Sequence, residues 1–527
     1  MAQRNTWEVI DGQHTSDVNV SEKIVICKRK EVPGITITIG MFFDGTGNNV
    51  FNTDKRLLET CTNMDVGMKT EDAKSCAEKL KKSSNGAGSY LGYYSNVHWL
   101  NTLYSVDNEL TTEKSLFQRA IYIQGIGTQK DKEDSLIGMG IGAWFEGVVD
   151  KTDEGIDQIA SQLQDFINSD GGISCAIEKI QFDVFGFSRG AAAARHFANR
   201  VRNGDKAIQQ AILKGLNGRN HHGKPAGEVR FLGIFDTVCA VGGVTNLFQV
   251  HGGGNPGIEL ALPQDIAQKV FQITAMHECR YNFSLNSIKE AWPELALPGV
   301  HSDIGGGYNP QEKEYLFLTK PVFETVRESV PAEMTDIYRR TAAEIPDLKT
   351  LPNLGPILLS GDITTGTWYD YLVNPNKLRE GVIEKRVGAA VTMERTVTND
   401  WSKVSLRVML DAAQDAGVNF KEILPKDKEL SLPPELESMN QKAISQGRTV
   451  RKGGVPVPFS PEEIQLLGKY IHCSANWNTV VFKDVWLDGK EVKVIYGAVN
   501  ATELFGFISY PNPGWVRSIW NMQGEKS

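Results

Sequence analysis

The chain has 527 residues and a formal net charge of −8 at neutral pH. This acidic balance argues against a nucleic-acid partner, because phosphate binding needs a concentrated basic face. Apolar residues make up 41% of the sequence and charged residues 23%, which is typical of a globular protein with a sizeable core. Neither an apolar signal sequence nor a run of about 18 apolar residues occurs, so we expect a chain made in the cytoplasm. The seven cysteines include no C-x-x-C pair, which argues against zinc and redox motifs.

The amino-terminal part contains one clear core strand. Residues 1–32 are polar and mixed, and we predict an arm or a peripheral strand there. Ile35–Phe43 (ITITIGMFF) predicts the first core strand, and it ends in the turn Asp44-Gly45-Thr46-Gly47-Asn48-Asn49. Glycine and asparagine allow several backbone N–H groups to face one point, as in an anion-binding turn. A plain β-turn is the alternative interpretation.

The following segments alternate between helical and extended patterns. Residues 55–90 form a charged insertion, Ser95 is a helix N-cap signal, and Ala120–Gln124 predicts a strand. Residues 138–142 (GMGIG) lack the spacing of a dinucleotide fingerprint and the lysine of a P-loop, so we expect no nucleotide. Apolar residues at positions 156, 159, 163 and 166 then predict an amphipathic helix. Alternation of strands and helices to about residue 310 predicts an α/β fold with a mostly parallel sheet.

The segment Gln181–Val201 (QFDVFGFSRGAAAARHFANRV) carries the strongest functional signal. An apolar strand leads into a turn in which Gly186 and Gly190 flank Ser188, and an alanine-rich helix follows. This arrangement is typical of a nucleophile elbow, where the turn projects the serine hydroxyl from the sheet edge. The backbone N–H of Arg189, which follows the nucleophile, would donate to the oxyanion. A structural serine in a tight turn is the alternative.

Two further residues complete the arrangement needed for nucleophilic catalysis. Asp236 follows the apolar run 229–235 (VRFLGIF), and His301 lies in a glycine-rich loop at 298–308. The order Ser188, Asp236, His301 is the chain order of α/β-hydrolase triads, with His301 as the base and Asp236 as its orienting acid. Asp303 is the rival acid, although we expect it to shape the loop. Gly45 or Thr46 is the candidate second oxyanion donor, with Asp44 supporting that turn.

After residue 310 the composition becomes more charged and helix-prone. Lys313–Ala343 and residues 400–450 predict helices, and the sequence 487–490 (LDGK) predicts a hairpin turn between two strands. The segment 504–520 is rich in aromatic residues, which fit a membrane interface or packing onto a cap. We therefore divide the chain into four parts, namely an arm (1–32), a catalytic α/β-hydrolase domain (33–310), a mainly helical cap or membrane-facing module (311–465), and a carboxyl-terminal hairpin with the aromatic segment (466–527).

Four motifs together resemble a known family. They are residues 41–49 (MFFDGTGNN), 186–191 (GFSRGA), 235–238 (FDTV) and 299–308 (GVHSDIGGGY). In this order they look like the first family of type VI secretion lipase effectors, which are α/β-hydrolase phospholipases that bacteria deliver into competitors. The resemblance covers residues 33–310 well, and beyond them 470–478 (YIHCSANWN) is the main recognisable patch.

The resemblance implies an antibacterial phospholipase A that cleaves membrane phospholipids with the triad of Ser188, Asp236 and His301. It implies a spike protein for delivery into the periplasm of the target cell and an immunity protein in the producing cell. No metal or organic cofactor is expected. The residues by themselves leave two alternatives open, a general esterase or thioesterase and a non-catalytic membrane-perturbing adaptor on a hydrolase scaffold.

Overall fold

The computed structural model describes most of the chain. The residues it describes are 4–12, 24–32, 34–46, 48, 93–111, 114–126, 144–169, 176–239, 257–372, 383–477, 480–487, 490–498 and 511–526. The predicted insertion at 55–90, the glycine-rich stretch at 138–142 and residues 504–510 of the aromatic segment lie outside these ranges.

A six-stranded sheet forms the centre of the molecule, and all of its strands are parallel. Its strands in chain order are β3 (Gly34–Phe43), β4 (Leu116–Ile123), β5 (Ala176–Phe187), β6 (Glu228–Phe235), β7 (Lys269–Ala275) and β9 (Glu294–Leu297). Parallel strands are joined by crossovers that cover both faces, which explains why these strands are apolar almost throughout. The predicted α/β fold and the predicted first core strand are confirmed.

The spatial order of the strands is β4-β3-β5-β6-β7-β9. The chain therefore moves from β3 to one side and then returns to place β5 on the other side of β3. At such a reversal the loops after the two neighbouring strands diverge and leave a crevice at their carboxyl ends, where ligands bind in open α/β sheets. The turn after β3 and the turn that carries Ser188 after β5 both lie at this reversal.

Helices cover both faces of the sheet. One face is covered by α2 (Trp144–Asn168), α3 (Arg189–Arg202) and α4 (Lys206–Gly215). The other face packs against α1 (Asn96–Leu103), α9 (Asp400–Asp415) and α10 (Glu437–Arg451). Ser95 caps α1 by accepting from the His98 amide at 3.1 Å, as its sequence indicates. Helices that follow residue 310 thus help to cover the six-stranded sheet.

A second sheet of four antiparallel strands corrects the prediction for residues 311–465. Its strands are β10 (Gln311–Phe317), β11 (Val322–Arg327), β12 (Asp362–Leu372) and β13 (Glu384–Thr398). The predicted helix over Lys313–Ala343 is wrong before Asp336, and the description of this part as mainly helical omitted the sheet. Lys and Glu favour helices, but helix propensity is a weak determinant, and pairing of β10 and β11 with β13 overrides it.

Short elements complete the described structure. Four short helices are α5 (His301–Gly305), α6 (Asp336–Ala343), α7 (Ile345–Thr350) and α8 (Gly355–Leu358), and α11 (Pro461–Leu467) follows α10. Two antiparallel pairs are β1 (Arg4–Gly12) with β2 (Ile24–Val32) and β14 (Val480–Leu487) with β15 (Lys490–Ala498), the latter confirming the predicted hairpin. Lastly, β8 (Leu285–Asn286) pairs in parallel with β16 (Ile519–Trp520). Of the helices in the described ranges, none has the length and apolarity needed to cross a bilayer.

Candidate functional site

Ser188 occupies a strained turn between β5 and α3. Its backbone has φ 59° and ψ −122°, a conformation that L-residues adopt only when the surrounding structure enforces it. The Ser188 amide donates to the Phe235 carbonyl at 3.0 Å, which ties the turn to the end of β6. The side chain is almost fully buried at the carboxyl edge of the sheet, with 5% of Ser188 exposed. This backbone geometry is that of a nucleophile elbow.

The two glycines of the elbow are required by close backbone packing. A Cβ atom at Gly186 would lie 2.5 Å from the carbonyl oxygen of Gly190. A Cβ atom at Gly190 would overlap with the carbonyl oxygens of Phe43 and Asp44 at the end of β3. Because backbone atoms cannot move aside without shifting a core strand, the elbow and the turn after β3 can approach this closely only with glycine at these positions.

Substituting Gly190 with alanine is expected to lower the free energy of unfolding by about 2 kcal/mol, since overpacking a tight site forces the backbone to shift. Urea denaturation followed by circular dichroism measures this change. Gly155→Ala in α2 is the matched control, because its nearest neighbours are the flexible Met41 Cε at 3.0 Å and the Ile123 side chain at 3.4 Å. The control should be as stable as the native protein, and equal stabilities of both variants would contradict the tight fit.

Asp236 and His301 lie in direct contact. The Nδ1 atom of His301 is 2.5 Å from Oδ2 of Asp236, and both side chains are buried. Asp236 follows β6 directly, while His301 begins α5 after β9. The His301 ring lies on the ring of Phe187, the residue before Ser188, with 4.6 Å between the ring centroids. The fold therefore gathers Ser188, Asp236 and His301 at one edge of the sheet.

Buried charges set the protonation of this pair. Burial by itself would raise the pKa of Asp236, but Arg517 and His301 outweigh it and hold the pKa well below its usual range. Burial lowers the pKa of His301 below its usual 6.5, and Asp236 opposes this shift. At neutral pH the pair therefore consists of a carboxylate and an uncharged imidazole, whose Nδ1–H donates to Asp236 and leaves Nε2 as the acceptor.

Asp303 has a different partner from the one that a triad acid requires. Its Oδ1 accepts from Nδ1 of His472 at 2.6 Å, and its Oδ2 accepts from the amides of Val300 and His472 at 2.9 and 3.0 Å. The ring of His472 stacks on Tyr308 with centroids 3.7 Å apart. Asp303 thus fixes the loop that begins α5, which is where the sequence placed it, and it does so by binding a histidine to which the sequence gave no role.

The turn after β3 is held around a buried carboxylate. Asp44 accepts from the hydroxyl of Tyr122 at 2.6 Å and from the amide of Gly45 at 2.7 Å. Burial raises the pKa of Asp44 to about 6, against the hydrogen bonds from Ser95, Tyr122 and Gly45. The Gly45 N–H, one of the two predicted oxyanion donors, is therefore already engaged with Asp44.

Sequence reasoning missed three charged residues that surround the pair. Arg517 donates to both carboxylate oxygens of Asp236, at 2.6 and 2.8 Å. Glu278 accepts from the amide of His301 at 3.2 Å and forms an ion pair with Arg280 at 2.8 Å. One sequence signal could have identified Arg517: it is a lone charge within an aromatic-rich stretch. Such a charge is expected to be buried, and a buried charge requires a partner.

The arrangement suits nucleophilic chemistry. A strained serine beside a histidine that a carboxylate orients is the recurring device for activating a hydroxyl group. Within the described residues, no group of three or more His, Cys, Asp or Glu side chains is placed to hold a metal ion.

Part of the chain also matches a known family by sequence. Residues 205–329 match the family described as the type VI secretion system phospholipase effector, Tle1-like, catalytic domain. This stretch contains Asp236 and His301 and begins after Ser188. No curated protein matches this chain significantly.

Among solved structures, a Tle1 effector bound to the VgrG spike from the type 6 secretion system is 47% identical to this chain. The match has a TM-score of 0.76 and covers 98% of this chain and 100% of the other. An uncharacterized protein from Pseudomonas aeruginosa covers 83% of this chain and 53% of the other at 17% identity. Its TM-score of 0.34 is too low to support an argument.

Proposed function

Since this chain belongs to the Tle1-like phospholipase effector family of the type VI secretion system, we propose that it is an antibacterial phospholipase A that uses Ser188, His301 and Asp236. The observation that carries this proposal is the 2.5 Å contact between His301 Nδ1 and Asp236 Oδ2, next to a serine in elbow geometry. Ser188 is the nucleophile, His301 the general base and Asp236 the group that holds the imidazole tautomer.

The proposed reaction has two halves. The hydroxyl oxygen of Ser188 attacks the acyl carbonyl carbon of a phospholipid while its proton moves to Nε2 of His301. The tetrahedral intermediate breaks the ester bond, His301 returns the proton to the leaving lysophospholipid, and the acyl group stays on Ser188. Water, deprotonated by His301, then attacks the acyl-enzyme; the second tetrahedral intermediate breaks its bond to the Ser188 oxygen, which regains the proton from His301 as the fatty acid leaves. Asp236 stays ionised throughout and stabilises the imidazolium that forms in each half.

The oxyanion of each intermediate needs two or more donors, and we assign the amides of Arg189 and Thr46. The Arg189 amide directly follows the proposed nucleophile at the beginning of α3, which is where α/β-hydrolases place one oxyanion donor. Thr46 lies in the turn whose backbone packs against Gly190. Loss of one such donor costs about 3 kcal/mol of transition-state stabilisation.

The acidic limb of kcat/KM for a soluble short-chain ester is expected to have its midpoint below pH 6.5. An imidazolium cannot accept the Ser188 proton, so activity falls as the pH drops through the pKa of His301, which burial holds below 6.5. A midpoint at pH 7 or above would contradict this assignment.

Loss of activity through acid unfolding can be distinguished from the acidic limb of the kcat/KM profile. The folded state holds the pKa of Glu278 at about 2 against a usual 4.5, because Arg280 and its other partners outweigh burial. A lowered carboxyl pKa contributes stability above pH 4.5 that is lost as the pH falls toward 2. Circular dichroism at each pH therefore controls for unfolding.

The proposed function is tested by the products formed from mixed phospholipid vesicles. We expect the untreated protein to release free fatty acid and lysophospholipid, and the identity of the lyso-isomer gives the acyl position. Protein treated with a serine-directed fluorophosphonate should release neither, with the adduct on Ser188 by mass spectrometry. Cleavage of short-chain esters without cleavage of any vesicle lipid would replace the proposal with a general esterase. Dye release by fully blocked protein would instead favour a non-catalytic membrane-perturbing role.

We extend the proposal to delivery. The similar Tle1 effector was solved bound to a VgrG spike, so we propose that this chain binds a VgrG spike and reaches the periplasm of the target cell. A cognate immunity protein in the producing cell would complete this system. Co-purification of this chain with a VgrG encoded by the same organism is the expected result, and a chain that never associates with any of its VgrG proteins would contradict the route.

A further inference from the structure

The guanidinium group of Arg517 bridges the two carboxylate oxygens of Asp236. Nη1 donates to Oδ1 at 2.6 Å and Nη2 donates to Oδ2 at 2.8 Å, while the amide of Ala275 donates to Oδ1 at 2.9 Å. Oδ2 is also the oxygen that contacts His301. A bidentate arginine fixes the plane of a carboxylate, which a single hydrogen bond cannot do. Arg517 therefore sets the direction in which Asp236 faces the imidazole.

Arg517 belongs to the segment 511–520, which is hydrogen-bonded to the loop 279–286. Its Nε donates to the Phe283 carbonyl at 2.6 Å, so all three guanidinium nitrogens are engaged. On either side of it, the Asn512 amide donates to the Cys279 carbonyl at 2.9 Å, and β16 pairs with β8. The segment 511–520 and the loop 279–286 thus hold the side chain of Arg517 together, and that side chain is 6% exposed.

The charged groups around His301 come from three elements. Asp236 follows β6, Glu278 and Arg280 follow β7, and Arg517 comes from the segment 511–520. Arg280 forms its ion pair with Glu278, whereas Arg517 forms an ion pair with Asp236 itself. The charge of Arg517 competes with a protonated His301 for Asp236, and the nearby Arg280 also lowers the pKa of His301.

We propose that Arg517 is a positioning residue for the Asp236–His301 pair, supplied by the segment 511–520. The inference rests on the proposed function of that pair. Arg517 touches no reacting atom; it fixes the carboxylate plane and limits the basicity of His301. Catalysis then depends on a residue almost 190 positions beyond the end of the matched catalytic stretch 205–329.

The test compares Arg517→Met, Arg517→Lys and a control, Arg202→Met, whose side chain is 36% exposed and pairs with Asp265. The measurement is the rate constant for fluorophosphonate labelling of Ser188 from pH 4.5 to 9, with the melting temperature of each variant. Labelling needs His301 as the base, and it is measurable even when turnover is slow.

We expect labelling of Ser188 in Arg517→Met to be about 10- to 100-fold slower at pH 8, because the imidazole of His301 is no longer held in the orientation that proton transfer needs. We also expect its labelling midpoint to rise by about one pH unit, because Asp236 then stabilises the imidazolium more strongly. Arg517→Lys keeps the charge but not the bidentate geometry, so it should label slowly with a midpoint near that of the native protein. The control should match the native protein.

Any of four results would overturn the inference. One is native-like labelling in both Arg517 variants, and another is an unchanged midpoint in Arg517→Met with only a smaller folded fraction. The third is loss of folding in both, which would assign Arg517 to the core alone. If Arg517→Met alone fails to fold, a native labelling rate in Arg517→Lys overturns the inference. Absence of any labelling at Ser188 in the native protein would instead reject the proposed function, so the two failures are distinguishable.

Discussion

Replacing Ser188 with alanine is expected to lower kcat for phospholipid hydrolysis by about 10⁴- to 10⁶-fold. Alanine removes the atom that attacks the carbonyl, and the residual rate then comes only from substrate binding and oxyanion stabilisation. The fold should be retained, because alanine and serine bear similar costs at φ 59° and the Ser188 amide keeps its bond to Phe235. Mass spectrometry of the fatty acid released from vesicles measures the loss.

A second serine provides a matched control for this substitution. Ser405 on α9 is fully buried, and its hydroxyl has no hydrogen-bond partner within the described part of the chain. Ser405→Ala should therefore leave both activity and stability close to those of the native protein. If Ser188→Ala keeps more than about one hundredth of the native rate, the assigned nucleophile is wrong.

Replacing Asp236 with asparagine is expected to lower kcat by about 10⁴-fold, the loss known for this exchange in a serine-protease triad. The amide NH₂ would donate to Nδ1 of His301, which places the ring proton on Nε2 and removes the acceptor for the Ser188 proton. Asparagine tolerates φ 42° at this position, so the backbone need not change. The pH profile of kcat/KM for a soluble ester measures the effect separately from membrane binding.

The same exchange also leaves Arg517 facing a neutral amide in a buried site. We therefore expect a lower melting temperature for Asp236→Asn, because breaking a buried ion pair leaves an uncompensated charge. Asp265→Asn, at a carboxylate that is 66% exposed, controls for the loss of one acidic group and should be silent. Activity within about tenfold of the native protein in a folded Asp236→Asn variant would be incompatible with its assigned role.

The elbow is the part of the site that the sequence predicted best. Its constraints are local, since Gly186 and Gly190 are needed within a few residues of Ser188 and the flanking strand and helix show their own periodicities. The sequence also placed Asp236 after a strand, where an open parallel sheet keeps its site, and His301 in a glycine-rich loop. These features follow from short stretches of chain, so they could be identified without knowing any long-range contact.

The antiparallel sheet between residues 311 and 398 illustrates where this reasoning stopped. The segment Lys313–Ala343 is rich in residues that favour helices. Its strands β10 and β11 form because they pair with β13, which comes much later in the chain. A buried pair in the central sheet is similar: Asp183 on β5 binds Arg230 on β6, with Nη2 to Oδ2 at 2.6 Å. Nothing in the sequence of either strand identifies Asp183 and Arg230 as partners.

The sequence by itself determined the α/β fold, the strained serine turn and the chain order of Ser188, Asp236 and His301, because glycine positions and apolar periodicity act through neighbouring residues. Only the tertiary structure decided which acid faces His301. The sequence offered both Asp236 and Asp303 as candidates, and the two carboxylates differ in the distant residues that hold them. His472 holds Asp303, and Arg517 holds Asp236 from 281 residues away. A buried charge takes the partner that packing brings within hydrogen-bonding distance, and that choice depends on the whole folded chain.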